Sequence, residues 1–385
     1  MLDEDNVDRA KRAVDLVADA VVRDSGLIVL TGAGTSGRLC WTALDLLARE
    51  QPGYLKRFGI GSCNVRCSCS LAGGDGAFKK SIEHAEDDAT SAVRHLRDIV
   101  AESGHDASDL IVVGVTCGLS ATWVASQIKF ALDGGGKAIL MAFTPLETGR
   151  GPFADAAFRD RLANDPNAVV LCPIVGPEIV TGSTRLKSGT ATKILLDVIL
   201  GCGFRAGLAR GMFAMDSTSG WEGFLTRDEL SKYRDALSDV YQQTHALAAA
   251  IEAGGNALRA GGRIVYAGVG RSGYIGIVDA SEQLPTFGCL ANDFEGFMLD
   301  AGALDASVGR LVGERATRAH FLAALETLGP KDVVVLLQMG REIQGTDVAG
   351  RAEAFRSKGF TVVCMNAVSI SVVDAIDPNM LVHSR

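Results

Sequence analysis

The residues best suited to chemistry form a glycine loop that carries two hydroxyl side chains. The loop Gly32–Arg38 follows the apolar run Leu27–Leu30 and precedes a helical pattern. A strand that leads through a glycine loop into a helix points backbone N–H groups and the positive end of the helix dipole at one spot. This arrangement predicts an anion site, and the hydroxyls suit the terminal phosphate of a monoester. The candidate residues of this loop are Gly34, Thr35, Ser36, Gly37 and Arg38.

A second copy of the loop lies in the other half of the chain. Gly268–Tyr274 follows the apolar run Ile264–Ala267, and Arg271 stands where the first copy has Thr35. Repetition of strand, glycine loop and helix indicates a duplicated domain. We expect the first copy to hold phosphate and the second to be degenerate as a phosphate loop.

A third loop adds hydroxyl groups in the first half. Gly114–Thr122 follows the apolar run Leu110–Val113, whereas the corresponding stretch Leu336–Arg341 in the second half has no hydroxyl. Two such loops at neighbouring strand ends would surround one phosphate, although the hydroxyls would equally suit capping of a helix that starts near Ala121. The residues that we expect at the phosphate are Thr116, Gly118 and Ser120.

Both glycine loops also match G-x-G-x-x-G, the fingerprint of dinucleotide-binding domains. Such domains place an acidic residue about 20 residues further on, where it holds the ribose. Here the next strand ends at Ser70–Gly74, and the first acid near it is Asp75. We therefore disfavour a nucleotide and expect no cofactor.

Apolar runs alternate with helical stretches along the whole chain, which predicts an α/β fold with parallel sheets. We place the domain boundary near Ser217–Trp221, with a first domain at 1–217 and a second at 218–385. Arg227–Arg259 is predicted to be helical. The predicted strands are Leu27–Leu30, Asn64–Ser70, Leu110–Val113, Ala138–Ala142, Ala168–Leu171, Ile264–Ala267, Val333–Leu337, Phe360–Cys364 and Met380–Val382.

Composition excludes several classes of function. The net charge of −8 argues against nucleic-acid binding, and no apolar run approaches the length of a membrane span. Nine scattered cysteines indicate reduced thiols and a cytoplasmic protein. Cys63, Cys67 and Cys69 form a cluster, but no further ligands complete a zinc set, so we expect apolar thiols and no metal.

An unusual polar segment, Gly176–Lys193, runs into a helix that begins near Thr190. Its basic side chains bring positive charge towards the candidate phosphate site, although a solvated, capped helix start would have a similar composition. The candidate residues of this segment are Glu178, Ser183, Arg185 and Lys187.

This segment resembles the signature shared by bacterial N-acetylmuramic acid 6-phosphate etherases and the animal glucokinase regulatory protein. The resemblance implies two tandem sugar-isomerase (SIS) domains, each a parallel five-stranded sheet flanked by helices in an α-β-α sandwich. It implies a pseudo-dimer within one chain, and we expect no counterpart of the regulatory protein's helical C-terminal lid. The matching stretches are Gly32–Arg38, Ala72–Asp87, Gly114–Ala121 and Gly176–Lys193.

The resemblance also implies roles for glutamates. Leu46 occupies the position of the etherase's general acid in the first half, whereas Glu282 occupies it in the second. The second functional glutamate of the etherases corresponds to Glu86, with Glu83 beside it on the substrate side. By resemblance the chain has one composite site, although Glu86 also fits a surface acid on a charged helix.

Three functions follow from these expectations. The first is cleavage of the lactyl ether of N-acetylmuramic acid 6-phosphate, giving N-acetylglucosamine 6-phosphate and lactate, with Glu86 and Glu282 as the acid–base pair. The second is a non-enzymatic sensor of fructose phosphates that binds a glucokinase or hexokinase. The third is an aldose–ketose isomerase, which the Gly176–Lys193 segment does not favour.

Overall fold

The computed structural model describes residues 3–79, 82, 84–213, 221–269, 271–299, 318–337, 358–365 and 370–373. The chain divides into two compact units. The first unit comprises residues 1–77 and 82–236, and the second comprises residues 78–81 and 237–385. Most of the predicted boundary segment, Ser217–Trp221, lies outside the described residues.

The first unit contains a five-stranded parallel sheet, as predicted, in the order β2-β1-β3-β4-β5. Its strands are β1 Leu27–Gly32, β2 Arg66–Leu71, β3 Leu110–Val115, β4 Lys137–Met141 and β5 Ala168–Leu171. Its described helices are α1 Glu4–Val22, α2 Gly34–Arg57, α3 Gly76–Lys79, α4 Ala89–Ser103, α5 Thr122–Asp133, α6 Ala156–Asn164, α7 Lys187–Phe213 and α8 Trp221–Gln242. Helices α3 and α8 belong to the first unit only as far as Ala77 and Ala236.

The central strands of this sheet are shielded from solvent by helices, whereas an edge strand is shielded from pairing with another strand by arginine side chains. Every residue of β1 and β3 is buried, because helices cover both faces of a parallel sheet. At the edge strand β5, Arg9 donates a hydrogen bond to the Val170 carbonyl at 3.2 Å and Arg12 donates one to the Ala168 carbonyl at 3.4 Å. These guanidinium groups occupy carbonyl acceptors that would otherwise be free to pair with another strand.

Helices α1 and α7 pack closely because α7 carries small residues at the contact. A Cβ atom added at Gly203 would lie 2.6 Å from Val17 Cβ, and one added at Gly207 would lie 2.5 Å from Val21 Cβ and 2.7 Å from the Ala18 carbonyl oxygen. The neighbours include helix backbone, which cannot move aside as a side-chain tip can. The two glycines therefore set the distance between these helices.

Replacing Gly207 by alanine is expected to lower the free energy of unfolding by about 1–3 kcal/mol, because the added methyl overpacks the α1–α7 contact. Gly211→Ala is the matched control. It lies on the same helix with nothing within 4 Å of the added methyl, so better helix propensity should stabilise it by about 0.5–1 kcal/mol. Urea denaturation followed by circular dichroism measures the free energy of unfolding of both variants. Equal effects of the two substitutions would contradict the close packing.

The second unit contains a sheet in the order β10-β9-β8-β6-β7, in which β6 to β9 are parallel and β10 is antiparallel to β9. Its strands are β6 Ile264–Gly268, β7 Phe294–Met298, β8 Val333–Leu337, β9 Thr361–Met365 and β10 Ile370–Val373. Its described helices are α9 Thr244–Arg259, α10 Arg271–Phe287 and α11 Arg318–Thr327.

The prediction of an α/β fold with parallel sheets flanked by helices is confirmed. The described strands of the second sheet differ from the expected five parallel strands, since four are parallel and β10 is antiparallel. Only residues 366–369 separate β10 from β9, a connection too short for a parallel crossover. Strand β7 was also missed, because Glu295 and Gly296 interrupt its apolar run. The predicted strand Met380–Val382 lies outside the described residues.

The predicted helical stretch Arg227–Arg259 is confirmed as parts of α8 and α9, which are separated at Gln243. Among the helices that the structure describes, none combines the length and the apolar character needed to cross a membrane.

Candidate functional site

The two hydroxyl loops of the first unit lie at the same edge of the sheet. Strands β1 and β3 are neighbours, and Gly32 is opposite Val115 at their carboxyl ends. The chain then enters the glycine loop after β1 and the Thr116–Ala121 turn after β3. Ser36 Oγ lies 3.6 Å from Cys117 Sγ, so the two loops are in contact. The two loops therefore lie side by side, and their expected role around one phosphate stays a prediction.

Close backbone contact explains the outer glycines of the first loop. A Cβ atom on Gly32 would lie 2.8 Å from the Gly37 nitrogen, and one on Gly37 would lie 2.7 Å from the Gly32 carbonyl oxygen. Gly34 starts helix α2 with a φ of +53°, a conformation that glycine adopts easily. The N-cap residue, Ala33, makes no side-chain capping hydrogen bond. The first turn of this 24-residue helix is therefore suited to an anion.

Thr116 takes the capping role that the sequence left as an alternative. Its Oγ1 accepts hydrogen bonds from the backbone nitrogens of Ser120 at 3.2 Å and Ala121 at 3.3 Å. The side chain is buried, whereas Ser120 is exposed. Thr116 thus shapes the turn before α5, and its hydroxyl proton remains available for donation to a further acceptor.

Sequence reasoning missed the Cys117 thiol, which joins three segments. Its sulfur lies 3.6 Å from Ser36 Oγ and 3.8 Å from the Oγ1 of Thr192, which is fully buried in α7. Burial raises the pKa of the Cys117 thiol, and hydrogen bonds to Ser36, Thr192 and Thr184 only partly oppose this effect. The neutral thiol therefore fits next to a phosphate, where a thiolate would repel it.

A further cation near the turn was also missed. Arg150 is exposed, and its Nη2 lies 3.4 Å from the position that a Cβ on Gly118 would occupy. The Arg150 backbone nitrogen donates a hydrogen bond to the Leu119 carbonyl at 2.8 Å, which holds this segment against the turn. Arg150 follows β4, and nothing in its local sequence marks it as part of this group.

The Gly176–Lys193 segment is organised around Glu178. The carboxylate of Glu178 accepts hydrogen bonds from the backbone nitrogens of Lys187 and Ser188, each at 2.9 Å, at the start of α7. Burial tends to raise the pKa of Glu178, but hydrogen bonds from Ser188 and Lys187 outweigh it and lower the pKa. Glu178 therefore caps α7. This agrees with the alternative interpretation of the segment as a solvated, capped helix start.

The other predicted residues of this segment differ in exposure. Lys187 is exposed and Arg185 is partly buried, and the Ser183 hydroxyl oxygen is buried without a hydrogen-bond partner. The basic group of Lys193 instead pairs with Asp197 one turn along α7. Roles for Ser183, Arg185 and Lys187 in substrate binding stay predictions.

The Arg38 side chain is enclosed by protein and bonded to the backbone. Its guanidinium is fully buried, and its Nε and Nη2 donate hydrogen bonds to the Ala77 carbonyl at 3.2 and 2.9 Å. These bonds tie the first turn of α2 to the segment after β2. A phosphate contact by this side chain would require it to leave that enclosure, and its predicted role in binding stays a prediction.

The predicted glutamates lie in different surroundings. Glu86 is exposed on a single turn of 3-10 helix, Ala85–Asp87, and Glu83 lies outside the described residues. Glu282 belongs to helix α10 of the second unit and is only 5% exposed. Leu46 is partly buried in α2. The composite site and the catalytic roles of Glu86 and Glu282 stay predictions.

The second glycine loop repeats the backbone contact of the first. A Cβ on Gly268 would lie 2.6 Å from the Gly273 nitrogen, and one on Gly273 would lie 2.4 Å from the Gly268 oxygen. Ser272, at the position of Ser36, is buried. The Arg271 side chain and the stretch 338–341 lie outside the described residues, so the predicted degeneracy of this loop stays a prediction.

Among the described residues, no group of histidine, cysteine, aspartate or glutamate side chains is arranged to hold a metal ion. The functional groups that the structure describes at the site in the first unit are hydroxyl groups, backbone N–H groups and the nearby guanidinium of Arg150. These groups complement a phosphate monoester.

The sequence is similar to proteins of one known family. A model described as the glucokinase regulatory protein N-terminal SIS domain matches residues 10–132. Glucokinase regulatory protein from Xenopus laevis is 30% identical over 303 residues, covering 76% of this chain and 45% of that protein. N-acetylmuramic acid 6-phosphate etherase from Yersinia pestis (strain Pestoides F) is 36% identical over 188 residues, covering 49% of this chain and 54% of that protein.

The chain spans about half the length of these curated relatives. The matched region, residues 10–132, contains both hydroxyl loops and the contact between Ser36 and Cys117. The chain therefore belongs to the SIS-domain family that includes glucokinase regulatory protein and N-acetylmuramic acid 6-phosphate etherase.

Proposed function

We propose that the first unit binds a sugar phosphate with its phosphate at the start of α2. The observation that carries this proposal is the contact between the β1 and β3 loops, which puts the Ser36 hydroxyl at an uncapped helix N-terminus. A phosphate there would accept hydrogen bonds from Ser36, from Thr35 and from the first backbone N–H groups of α2. Arg150 adds a positive charge on the side of Gly118.

Ser36→Ala is expected to weaken binding of N-acetylglucosamine 6-phosphate and fructose 6-phosphate by about tenfold to a hundredfold, because a hydrogen bond to a charged group contributes about 1.5–3 kcal/mol. Thermal-shift titration measures the affinity through the stabilisation that each ligand gives. Ser91→Ala is the matched control, since that hydroxyl bonds to Arg94 on the surface of α4. Equal affinity in Ser36→Ala and in the unaltered protein would reject the phosphate assignment.

We further propose that the chain cleaves the lactyl ether of N-acetylmuramic acid 6-phosphate. In this reaction a base removes the proton at C2 of the open-chain sugar, which the C1 aldehyde acidifies, and an acid protonates the departing lactate oxygen. Water then adds to the resulting double bond and gives N-acetylglucosamine 6-phosphate. Glu86 and Glu282 are the carboxyl groups proposed for these proton transfers, because their segments resemble the two glutamate motifs of the etherases. The 36% identity to the Yersinia pestis etherase over 188 residues supports the type of reaction.

The test of this activity is lactate release from N-acetylmuramic acid 6-phosphate by the purified chain, coupled to lactate dehydrogenase. Stoichiometric formation of lactate and N-acetylglucosamine 6-phosphate is expected. Absence of lactate at high protein concentration, in a sample that still binds N-acetylglucosamine 6-phosphate, would exclude the etherase and leave the binding proposal standing.

Leu46 favours a second candidate, a sensor that binds a sugar kinase without catalysis. An apolar side chain occupies the position at which the resemblance places the etherase acid, and the family model that matches is that of the regulatory protein. In that case a glucokinase or hexokinase should co-purify with the chain, and fructose phosphates should change the amount bound. If no glucokinase or hexokinase binds the chain, either with or without fructose phosphates, the sensor function is excluded.

A further inference from the structure

Arg150 lies on a turn that is held against the turn after β3. The sheet order places β3 between β1 and β4, so the segment that follows β4 borders the β3 turn directly. Two backbone hydrogen bonds join these segments. The Arg150 nitrogen donates to the Leu119 carbonyl at 2.8 Å, and the Phe143 nitrogen donates to the Cys117 carbonyl at 3.0 Å. The backbone of Arg150 is therefore fixed beside the candidate phosphate site.

Glycines on both sides of Arg150 fix the shape of its turn. A Cβ atom on Gly149 would lie 2.6 Å from the carbonyl oxygen of Phe153 and 2.7 Å from its Cβ, and Phe153 is fully buried. Gly151 has a φ of +53°, a conformation that residues with a side chain rarely adopt. The Phe153 nitrogen also donates to the Arg150 carbonyl at 3.1 Å. The turn is thus anchored in the core, and Arg150 is the side chain that it presents.

The opposing turn has an unfavourable backbone conformation at the point of contact. Leu119 has a φ of +50°, which is an outlier for a bulky residue. Its side chain is fully buried, and its carbonyl accepts the hydrogen bond from the Arg150 nitrogen. Such a conformation persists only where the surrounding contacts enforce it. The two turns therefore hold each other in one defined arrangement.

The guanidinium of Arg150 extends over Gly118 of the β3 turn. Its Nη2 lies 3.4 Å from the position that a Cβ on Gly118 would occupy. Among the residues that the structure describes, none forms an ion pair or a hydrogen bond with this guanidinium. By contrast, Arg159 on α6 donates to the Phe153 carbonyl at 3.0 Å. A guanidinium that is held by its backbone and keeps its donors is suited to a charged oxygen ligand.

The proposed sugar-phosphate site supplies such a ligand. A phosphate at the start of α2 follows β1, and Arg150 extends towards it over the β3 turn, where Cys117 contacts Ser36. A phosphate monoester carries nearly two negative charges at pH 7 and above, because its second pKa is about 6. The helix start and the hydroxyl groups offer only partial positive charges, whereas Arg150 offers a full one. Arg150 is therefore the group that distinguishes ligands by their charge.

We propose that Arg150 determines the specificity of this site for the doubly charged phosphate of a sugar phosphate, against singly charged groups of the same shape. This inference rests on the proposed sugar-phosphate function. A guanidinium can donate to two phosphate oxygens at once, which adds geometric selection to the selection by charge.

The probes are N-acetylglucosamine 6-phosphate and N-acetylglucosamine 6-sulfate at about pH 8, which are similar in shape and carry charges of about −2 and −1. We expect Arg150→Ala in the full chain to weaken binding of the phosphate about thirtyfold and of the sulfate about fivefold, because one positive charge attracts a dianion about twice as strongly. Isothermal titration calorimetry measures both affinities. Arg150→Lys should recover part of the preference for phosphate, since it keeps the charge without the bidentate geometry.

Arg97→Ala is the matched control, because this exposed guanidinium lies 5.5 Å from the centre of the Phe130 ring, near the far end of α5. It should leave both affinities unchanged. Equal fold losses for the two probes in Arg150→Ala, or no loss, would overturn the role of Arg150. If Ser36→Ala weakens phosphate binding and Arg150→Ala does not, the proposed function stands and only this inference is rejected. No binding of either probe by the unaltered chain would reject both.

Discussion

Replacing Glu282 by glutamine is expected to lower lactate release from N-acetylmuramic acid 6-phosphate by about 10²- to 10⁴-fold. The amide keeps the size of the buried side chain but cannot transfer a proton, and a positioned acid or base contributes a factor of this order. Glu86→Gln should cause a loss of similar order if the two carboxyls divide the acid and base roles. Initial rates of lactate formation at saturating substrate measure both effects.

The control for these variants is Glu326→Gln, a substitution on an exposed carboxylate that pairs with Lys358. It should leave the rate of lactate release unchanged. Glu282→Gln should still bind N-acetylglucosamine 6-phosphate, because the proposed phosphate site lies in the first unit. A Glu282→Gln variant that folds, binds sugar phosphate and releases lactate at the full rate would remove Glu282 from the mechanism.

Replacing Arg210 by alanine is expected to lower the free energy of unfolding of the first unit by about 3 kcal/mol. The guanidinium is 4% exposed and pairs with Asp15 at 2.7 Å and Asp19 at 2.9 Å, which joins α7 to α1. Its removal leaves Asp19 without this counter-charge, one helical turn from Asp15, which keeps only its pair with Lys11 at 3.2 Å. Both aspartates retain contact with water, which places the effect at the lower end of the range for broken buried pairs.

Arg161→Ala is the comparison for this effect. Its guanidinium is 31% exposed and pairs with Asp133, which is 49% exposed, so its loss should cost less than about 1 kcal/mol. Chemical denaturation of both variants gives the two free energies. A loss from Arg210→Ala no larger than that from Arg161→Ala would show that the pair between α1 and α7 contributes little to stability.

Hydrophobic runs predicted the strands well where burial is complete. All residues of β1 and β3 are apolar or small and buried, and both strands were predicted within one or two residues of their ends. Strand β7 was missed because its half-buried residues include a carboxylate and a glycine. The antiparallel direction of β10 was missed because pairing direction depends on how the chain returns to the sheet.

Site residues were predicted where the local chain alone specifies their role. The glycine loop and the Thr116 turn could be identified because a strand end followed by a helix start has a characteristic local sequence. Thr192 and Arg150 were not identified, because each reaches the site from a different segment. Cys117 lies within the predicted loop, but its contacts with Ser36 and Thr192 are long-range and leave no local pattern. Glu178 caps α7 in the structure, and its predicted role in substrate binding stays a prediction.

The sequence by itself determined that one strand, glycine loop and helix unit occurs twice, and that the first copy carries the hydroxyls. Both features depend on local sterics: a close backbone approach such as that of Gly32 and Gly37 excludes a Cβ atom in either copy. Only the tertiary structure decided that Cys117 meets both Ser36 and Thr192. Those contacts depend on strand order and helix packing, which bring distant segments together and leave no local pattern in the chain.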